Sequence, residues 1–180
     1  MQKIKGTEIY LGNMYDYEDI RDVSSWSAIH CCKDPYHKEM VGYRGNLNPD
    51  HPNYKYIIEG NRMALNIVDI EKFDKRYLPF NKSMFLSAFK FIEKELERGQ
   101  KVLIHCNEGV SRSPMILLLY LCYKGYAGYN NLAFENAVKR FAHDNDIYMR
   151  PKLGIFEAAR NLWRDFAEMG ALNSKNGKRN

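Results

Sequence analysis

Residues 102–121, VLIHCNEGVSRSPMILLLYL, place a short polar loop between two apolar runs, with Cys106 at its start and Arg112 near its end. The first run is β-prone and the second has the length of a helix, so the loop is expected to join a strand to a helix. Loop N–H groups and the helix dipole then point at one spot, which suits an anion. Because the same field stabilises a thiolate, Cys106 is predicted to be a nucleophile.

The remaining loop residues complete a site for a phosphoryl group. Arg112 carries a planar guanidinium that can hold two phosphoryl oxygens at once. Gly109 permits a backbone bend that a side chain would obstruct, and Ser113 can donate a hydrogen bond to the sulfur when it departs. No metal or other cofactor is expected. The predicted phosphate-binding residues are Asn107, Glu108, Gly109, Val110, Ser111 and Arg112.

The segment HCNEGVSRSP resembles the H-C-x5-R-S/T signature of the cysteine-dependent protein tyrosine phosphatases, and its Ser-Arg-Ser form looks like their dual-specificity branch. EIYLGN, YLCYKG and MRPKLGIFEAARNLW are similar to that branch's opening strand, to the helix after its loop and to its closing segment. The resemblance implies metal-independent hydrolysis of phosphomonoesters through a cysteinyl-phosphate. It also implies that the partner is a phosphorylated protein or peptide, dephosphorylated at tyrosine, serine or threonine.

Two aspartates compete for the role of general acid, which protonates the leaving group and then activates water. The spacing to the cysteine in the family that the chain resembles favours Asp74. The sequence LNIVD instead puts Asp69 at the carboxyl end of an expected central strand, where its position would be well held. We rank Asp69 first and keep Asp74 as the alternative.

The histidines and cysteines outside the loop are predicted to support the site without taking part in the hydrolysis itself. His105 is expected to order the loop through hydrogen bonds and not to act as a base. His30, Cys31, Cys32 and His37 are not expected to bind a metal, because consecutive strand residues point to opposite faces. In some phosphatases similar to this chain, a cysteine at the end of the neighbouring strand bridges the nucleophile reversibly and limits over-oxidation. Cys31 or Cys32 is the predicted redox partner.

Alternative functions remain open. Phosphoinositide-cleaving relatives tend to carry basic residues in the loop, where this chain has Glu108, and glucan phosphatases tend to differ at Glu108 and Ser111. Both substrates, and RNA 5′-phosphate, are less favoured than a phosphoprotein. A phosphate-binding module without turnover is the rival from another class, but it would have no need of the full set Cys106, Arg112 and Ser113.

The elements that must position the loop follow from the apolar pattern. Asn81 caps a predicted helix that stops at Gly99, and an apolar helix follows the loop and ends at Gly125. Two amphipathic helices come after it, the last ending before Gly170. The predicted fold is α/β, a mostly parallel sheet of about four to five strands flanked by helices. The strand candidates are residues 8–12, 27–31, 63–68 and 101–105.

Length and composition favour one domain, residues 1–172, followed by a basic disordered tail at 173–180. Residues 33–62 are predicted to be a long excursion at the carboxyl edge of the sheet. The net charge of +5, from 27 basic and 22 acidic residues, is too mild an excess to imply nucleic-acid binding. The longest apolar run, residues 115–122, is too short to span a bilayer. We therefore expect a cytoplasmic protein, without membrane insertion and monomeric, with reduced thiols.

Overall fold

One sheet of six strands organises the described part of the chain, residues 1–73 and 81–176 of a computed structural model. The strand order is β1-β2-β6-β3-β5-β4, with the inner four parallel and the two edge strands antiparallel to their neighbours. The strands are β1 (Gln2–Lys3), β2 (Ile9–Gly12), β3 (Trp26–His30), β4 (Tyr56–Glu59), β5 (Arg62–Leu65) and β6 (Lys101–His105). The predicted mostly parallel α/β sheet is confirmed, with slightly more strands than expected.

The two strands missed by the sequence pattern are the edge strands. β1 has only two residues, both exposed, so it carries no apolar signal. β4 lies within the residues expected to form an excursion. Before they reach the sheet edge, residues 33–62 also form a helical turn at Lys33–His37 and the short helix α2 at Lys38–Val41, which the sequence pattern did not predict.

The register aligns the carboxyl ends of the parallel strands that carry the site. His30 at the end of β3 and Gly12 at the end of β2 both pair with His105 at the end of β6. The segments that follow these three strands therefore leave the sheet on the same side, at the carboxyl ends of the strands, where α/β proteins usually bind their ligands.

The described residues contain five further α-helices, which flank the sheet, and a 3₁₀ helix at Tyr126–Asn131. The α-helices are α1 (Met14–Ile20), α3 (Lys82–Glu97), α4 (Arg112–Lys124), α5 (Phe134–Asn145) and α6 (Leu153–Asn176). The predicted cap of α3 is confirmed, since the Asn81 side chain accepts a hydrogen bond from the Met84 N–H, and Gly99 follows the helix at φ +75°. Ten of the residues of α4 after Arg112, from Ser113 to Cys122, are buried, which places this helix in the centre of the core. No helix among the described residues has the length and apolar character needed to cross a membrane.

The prediction that the last helix ends before Gly170 was wrong, because α6 continues to Asn176. Gly170 is a packing contact: a Cβ atom there would lie 2.1 Å from the carbonyl oxygen of Cys122 in α4. The Asn173 side chain also donates to the Tyr123 carbonyl at 2.7 Å. Residues 173–176, expected to begin a disordered tail, are therefore helical, and Asn173 is hydrogen-bonded to α4, whereas 177–180 lie outside the described residues.

Candidate active site

The polar loop joins β6 to α4, as the sequence predicted, and neighbouring segments hold it from two sides. The Met14 N–H, at the start of α1, donates to the Asn107 carbonyl at 3.2 Å. The Arg150 N–H, just before α6, donates to the Val110 carbonyl at 2.8 Å. These two backbone hydrogen bonds fix the loop relative to α1 and to the segment before α6.

The sulfur of Cys106 accepts two hydrogen bonds within this loop. The Gly109 N–H and the Ser113 hydroxyl both donate to Sγ at 3.3 Å. Both donors point at the atom on which negative charge would be carried during an attack by the sulfur. Gly109 adopts φ +78°, and a Cβ atom at this position would lie 2.7 Å from the Gly12 carbonyl oxygen, so the loop conformation requires glycine.

Arg112 lies almost buried beside the loop, with 8% of its surface exposed. Its two terminal nitrogens donate to the Ile67 carbonyl at 3.2 Å and to the Asn107 Oδ1 at 2.8 Å. Its buried Nε has no hydrogen-bond partner in the part of the chain that the structure describes. A buried, unsatisfied guanidinium donor costs free energy, which an anion bound in the loop would recover.

Asp69 reaches the site from the segment after β5. Its Oδ1 accepts a 2.7 Å hydrogen bond from the Ser111 hydroxyl, and its Oδ2 lies 3.8 Å from the Nε of Arg112. Ser111 in turn accepts from the Lys152 N–H at 3.1 Å, which fixes its orientation. The expectation that Asp69 ends a central strand was wrong, because β5 is next to the sheet edge and stops at Leu65. Asp74, the alternative acid, lies outside the described residues.

The other predicted phosphate-binding residues differ in where their side chains lie. The Asn107 side chain accepts from Arg112 and donates to the Asp34 carbonyl at 3.3 Å, so it holds the arginine. Glu108 is exposed and lines a cavity of about 320 Å³ beside the loop. Side chains of both charges also line the cavity, namely the acidic Asp69 and Glu71 and the basic Arg150 and Lys152.

Beneath the loop, the side chain of His105 contacts that of His30, which ends β3. The Nε2 atom of His105 lies 2.5 Å from the Nδ1 atom of His30, and its Nδ1 lies 3.3 Å from the Cys106 carbonyl oxygen. Burial lowers the pKa of His105 to about 4, so the ring is neutral near pH 7. The sequence signal for this pair was that His105 ends the predicted strand 101–105 and His30 is the penultimate residue of the predicted strand 27–31.

Cys31 and Cys32 lie where the chain leaves β3, next to the nucleophile. Both are fully buried, and the Cys31 N–H donates to the His105 carbonyl at 2.7 Å. Burial, with the charge of Cys106, raises the pKa of Cys31 well above its ordinary value, and burial raises that of Cys32 to about 12. Both therefore rest as neutral thiols. Within residues 1–73 and 81–176, no three histidine, cysteine or acidic side chains form a metal-binding group.

Comparison with known protein families identifies the family of this domain. The family described as "Dual specificity phosphatase, catalytic domain" matches residues 25–146, which include β3, β6, the loop and α4. The chain belongs to the dual specificity phosphatase family. The resemblance drawn from HCNEGVSRSP is thereby confirmed, and the matched residues include the segment 106–112.

Individual relatives carry the same family name. The chain is 28% identical over 143 residues to the dual specificity protein phosphatase YVH1 of Plasmodium falciparum, a match that covers 69% of this chain and 24% of the relative. It is 32% identical over 98 residues to Mpk3 of Drosophila melanogaster, covering 54% of this chain and 23% of the relative. The phosphatase domain thus corresponds to about a quarter of the length of these relatives.

Solved structures agree in fold. The structure of DUSP15 has a TM-score of 0.60 at 17% identity and covers 99% of this chain and 96% of its own. The Yvh1 phosphatase domain of Chaetomium thermophilum has a TM-score of 0.57 at 18% identity, covering 96% and 98%. PTPMT1 in complex with PI(5)P has a TM-score of 0.55 at 16% identity, covering 89% and 92%. At such identities the likeness shows the dual specificity phosphatase fold.

Proposed function

We propose that this domain removes phosphate from phosphorylated tyrosine, serine and threonine side chains of proteins through a cysteinyl-phosphate intermediate. The observation that carries the proposal is the pair of hydrogen bonds to the Cys106 sulfur, from the Gly109 N–H and the Ser113 hydroxyl. These donors hold a nucleophilic sulfur at the floor of an anion-binding loop, with Arg112 alongside.

In the first step, the Cys106 thiolate attacks phosphorus while the bond from phosphorus to the ester oxygen breaks. Loop N–H groups and the guanidinium of Arg112, including the Nε that makes no hydrogen bond to any described residue, stabilise the charge on the transferring phosphoryl oxygens. Asp69 gives a proton to the departing oxygen, a role supported by its contacts with Ser111 and Arg112 at the side of the loop. The alcohol or phenol leaves, and phosphate remains on sulfur.

In the second step, water attacks the phosphocysteine. The Asp69 carboxylate takes a proton from the water, and the bond between sulfur and phosphorus breaks. Ser113 donates its hydroxyl hydrogen bond to the sulfur as the thiolate re-forms, which makes it a better leaving group. Inorganic phosphate is released, and the site returns to its starting state.

The surroundings of the loop support a protein substrate. The cavity beside it is lined by three carboxylates, Asp69, Glu71 and Glu108, against the two cations Arg150 and Lys152. A polyphosphorylated lipid headgroup or a nucleic-acid backbone would meet repulsion from these carboxylates, whereas a peptide with mixed charges would not.

Hydrolysis of an aryl phosphate in the presence of a chelator tests the chemistry, with the wild type compared to Cys106→Ser. We expect chelator-resistant turnover in the wild type and none in the variant. Trapping a phosphate-labelled enzyme after acid quench, present in the wild type and absent in Cys106→Ser, would identify the intermediate. Asp69→Asn and Asp74→Asn should be compared on esters of increasing leaving-group pKa, and the acid is the residue whose loss penalises poor leaving groups most.

The substrate class is tested separately by kcat/KM on phosphotyrosine and phosphoserine or phosphothreonine peptides, a phosphoinositide, phosphorylated glucan and 5′-phosphorylated RNA. Preference for a non-protein ester would overturn the protein assignment and leave the chemistry in place. Binding of phosphopeptide without turnover of any ester would show that the domain is a phosphate-binding module.

A further inference from the structure

The His30–His105 pair lies in a cluster of four aromatic rings beneath the catalytic loop. The two histidines are direct partners in the parallel pairing of β3 and β6, and both are buried. Tyr36 stacks on His30 at 4.2 Å between ring centroids, and Tyr17 stacks on His105 at 5.1 Å. We call these residues the four-ring cluster. Because each imidazole is stacked on one ring and meets others edge-on, neither has room to turn.

The hydrogen bonds of His105 determine which of its nitrogens carries the proton. Its Nδ1 faces the Cys106 carbonyl oxygen, which can only accept, so Nδ1 must be the N–H donor. The pKa of about 4 leaves His105 neutral near pH 7, and a neutral imidazole has one N–H group. Its Nε2 is therefore a bare acceptor.

The same reasoning assigns the position of the proton on His30. The acceptor Nε2 of His105 faces Nδ1 of His30, so His30 must carry its own proton on Nδ1 and donate it. Burial and the neighbouring His105 lower the pKa of His30 well below its ordinary value, so it too has a single N–H. If His105 instead carried its proton on Nε2, its Nδ1 lone pair would face the lone pairs of the Cys106 carbonyl oxygen, and His30 would have to move its own proton to Nε2 in order to accept at Nδ1.

We propose that His30 is a positioning residue that holds His105 in the Nδ1–H tautomer and thereby fixes the backbone at Cys106. The hydrogen bond from His105 restrains the Cys106 carbonyl, which is one bond from the Cα atom that carries the nucleophilic side chain. The direction of that side chain decides whether Sγ receives the Gly109 and Ser113 hydrogen bonds at 3.3 Å. The effect on turnover rests on the proposed function, whereas the tautomer of His105 does not.

The experiment compares two substitutions at His30 by their effect on the tautomer and on turnover. His30→Asn keeps an N–H donor near the position of Nδ1, whereas His30→Leu removes it. Long-range ¹⁵N–¹H correlation spectra of the histidine rings report the tautomer of His105 directly. Aryl phosphate hydrolysis supplies kcat and KM, and thermal unfolding confirms that each variant is folded. His37→Leu is the matched control, because it removes another fully buried imidazole, bonded to Tyr43 and the Asn53 carbonyl, outside the four-ring cluster.

We expect the Nδ1–H form of His105 in the wild type, in His30→Asn and in His37→Leu. In His30→Leu we expect a mixture of tautomers and a fall in kcat of about tenfold with KM nearly unchanged, since one hydrogen bond of about 1.4 kcal/mol corresponds to that factor. The kcat of His30→Asn should stay within about threefold of that of the wild type, because asparagine retains the N–H donor.

An Nε2–H form of His105 in the wild type would overturn the inference, even if no variant folded. So would a His30→Leu variant that retains both the Nδ1–H form and full kcat, or a His30→Asn variant that loses as much kcat as His30→Leu. A wild type with the Nδ1–H form but no turnover of any ester would count against the proposed function, while the tautomer assignment would be upheld.

Discussion

Gly109→Ala is expected to lower the stability of the domain through a steric clash and its activity through a weakened hydrogen bond to Cys106. Gly109 adopts φ +78°, and a Cβ atom would meet the Gly12 carbonyl oxygen at 2.7 Å and its carbonyl carbon at 3.0 Å. Both contacts are with backbone, so a rotamer change cannot relieve them. The Gly109 N–H also donates to the Cys106 sulfur, so any shift of this peptide moves a donor away from the nucleophile.

The matched control is Gly99→Ala. Gly99 adopts φ +75° after α3, and nothing lies within 4 Å of an added Cβ. The left-handed conformation costs alanine about 1–2 kcal/mol, offset by about 0.4–1 kcal/mol from the stiffer unfolded chain, so we expect a loss of about 1 kcal/mol. At Gly109 the backbone clash adds about 1–3 kcal/mol, for a total loss of about 2–4 kcal/mol.

Thermal and denaturant unfolding measure the two stabilities. In a domain of this size, each kcal/mol lowers Tm by about 2–4 °C, so Gly109→Ala should melt at least about 4 °C below the wild type. Aryl phosphate turnover should fall about tenfold or more for Gly109→Ala, through the weakened hydrogen bond to a charged sulfur, and stay near wild type for Gly99→Ala. Equal stability losses in the two variants, with full activity in Gly109→Ala, would refute the packing argument.

Three further predictions concern other parts of the site and fold. Burial lowers the pKa of His37 to about 4, compared with about 6.5 in the unfolded chain. Between these two pH values the unfolded chain binds a proton that the folded protein does not bind. The free energy of unfolding should therefore decrease by about 3 kcal/mol as the pH falls from 6.5 to 4. In His37→Gln the loss of unfolding free energy with falling pH should be shallower, and an unchanged slope would contradict this. Mild peroxide should oxidise Cys106 to a sulfenic acid that condenses with the thiol of Cys31 or Cys32 to a disulfide and water. Peptide mapping with each partner replaced by alanine identifies the bridge, and sulfinic Cys106 without any bridge would exclude it. Ser113→Ala should slow hydrolysis of the phosphocysteine by about tenfold, so that phosphoenzyme accumulates during turnover. If attack of Cys106 on the ester were the slowed step and no phosphoenzyme accumulated, the role proposed for Ser113 would be wrong.

The local parts of the fold were predictable because they depend on residues near one another in the chain. β6, the loop and the start of α4 occupy adjacent positions, so a β-prone run, a glycine and an apolar helix pattern suffice to bring Cys106, Arg112 and Ser113 together. The cap at Asn81 and the stop at Gly99 are equally local. The end of α6 was mispredicted because glycine ordinarily marks a helix end. Gly170 instead admits the close approach of the Cys122 carbonyl, a contact across 48 positions of sequence.

By itself, the sequence determined the family of the domain and singled out Cys106 as its proposed nucleophile, since the spacing of the signature loop needs no distant partner. Only the tertiary structure decided what surrounds that loop. Asp69 meets Ser111 and Arg112 because the segment after β5 passes beside the start of α4. His30 meets His105 because the sheet order places β6 beside β3, although 75 positions of sequence lie between the two rings. Strand order and helix approach are set by the packing of the whole core, and no short stretch of residues encodes them.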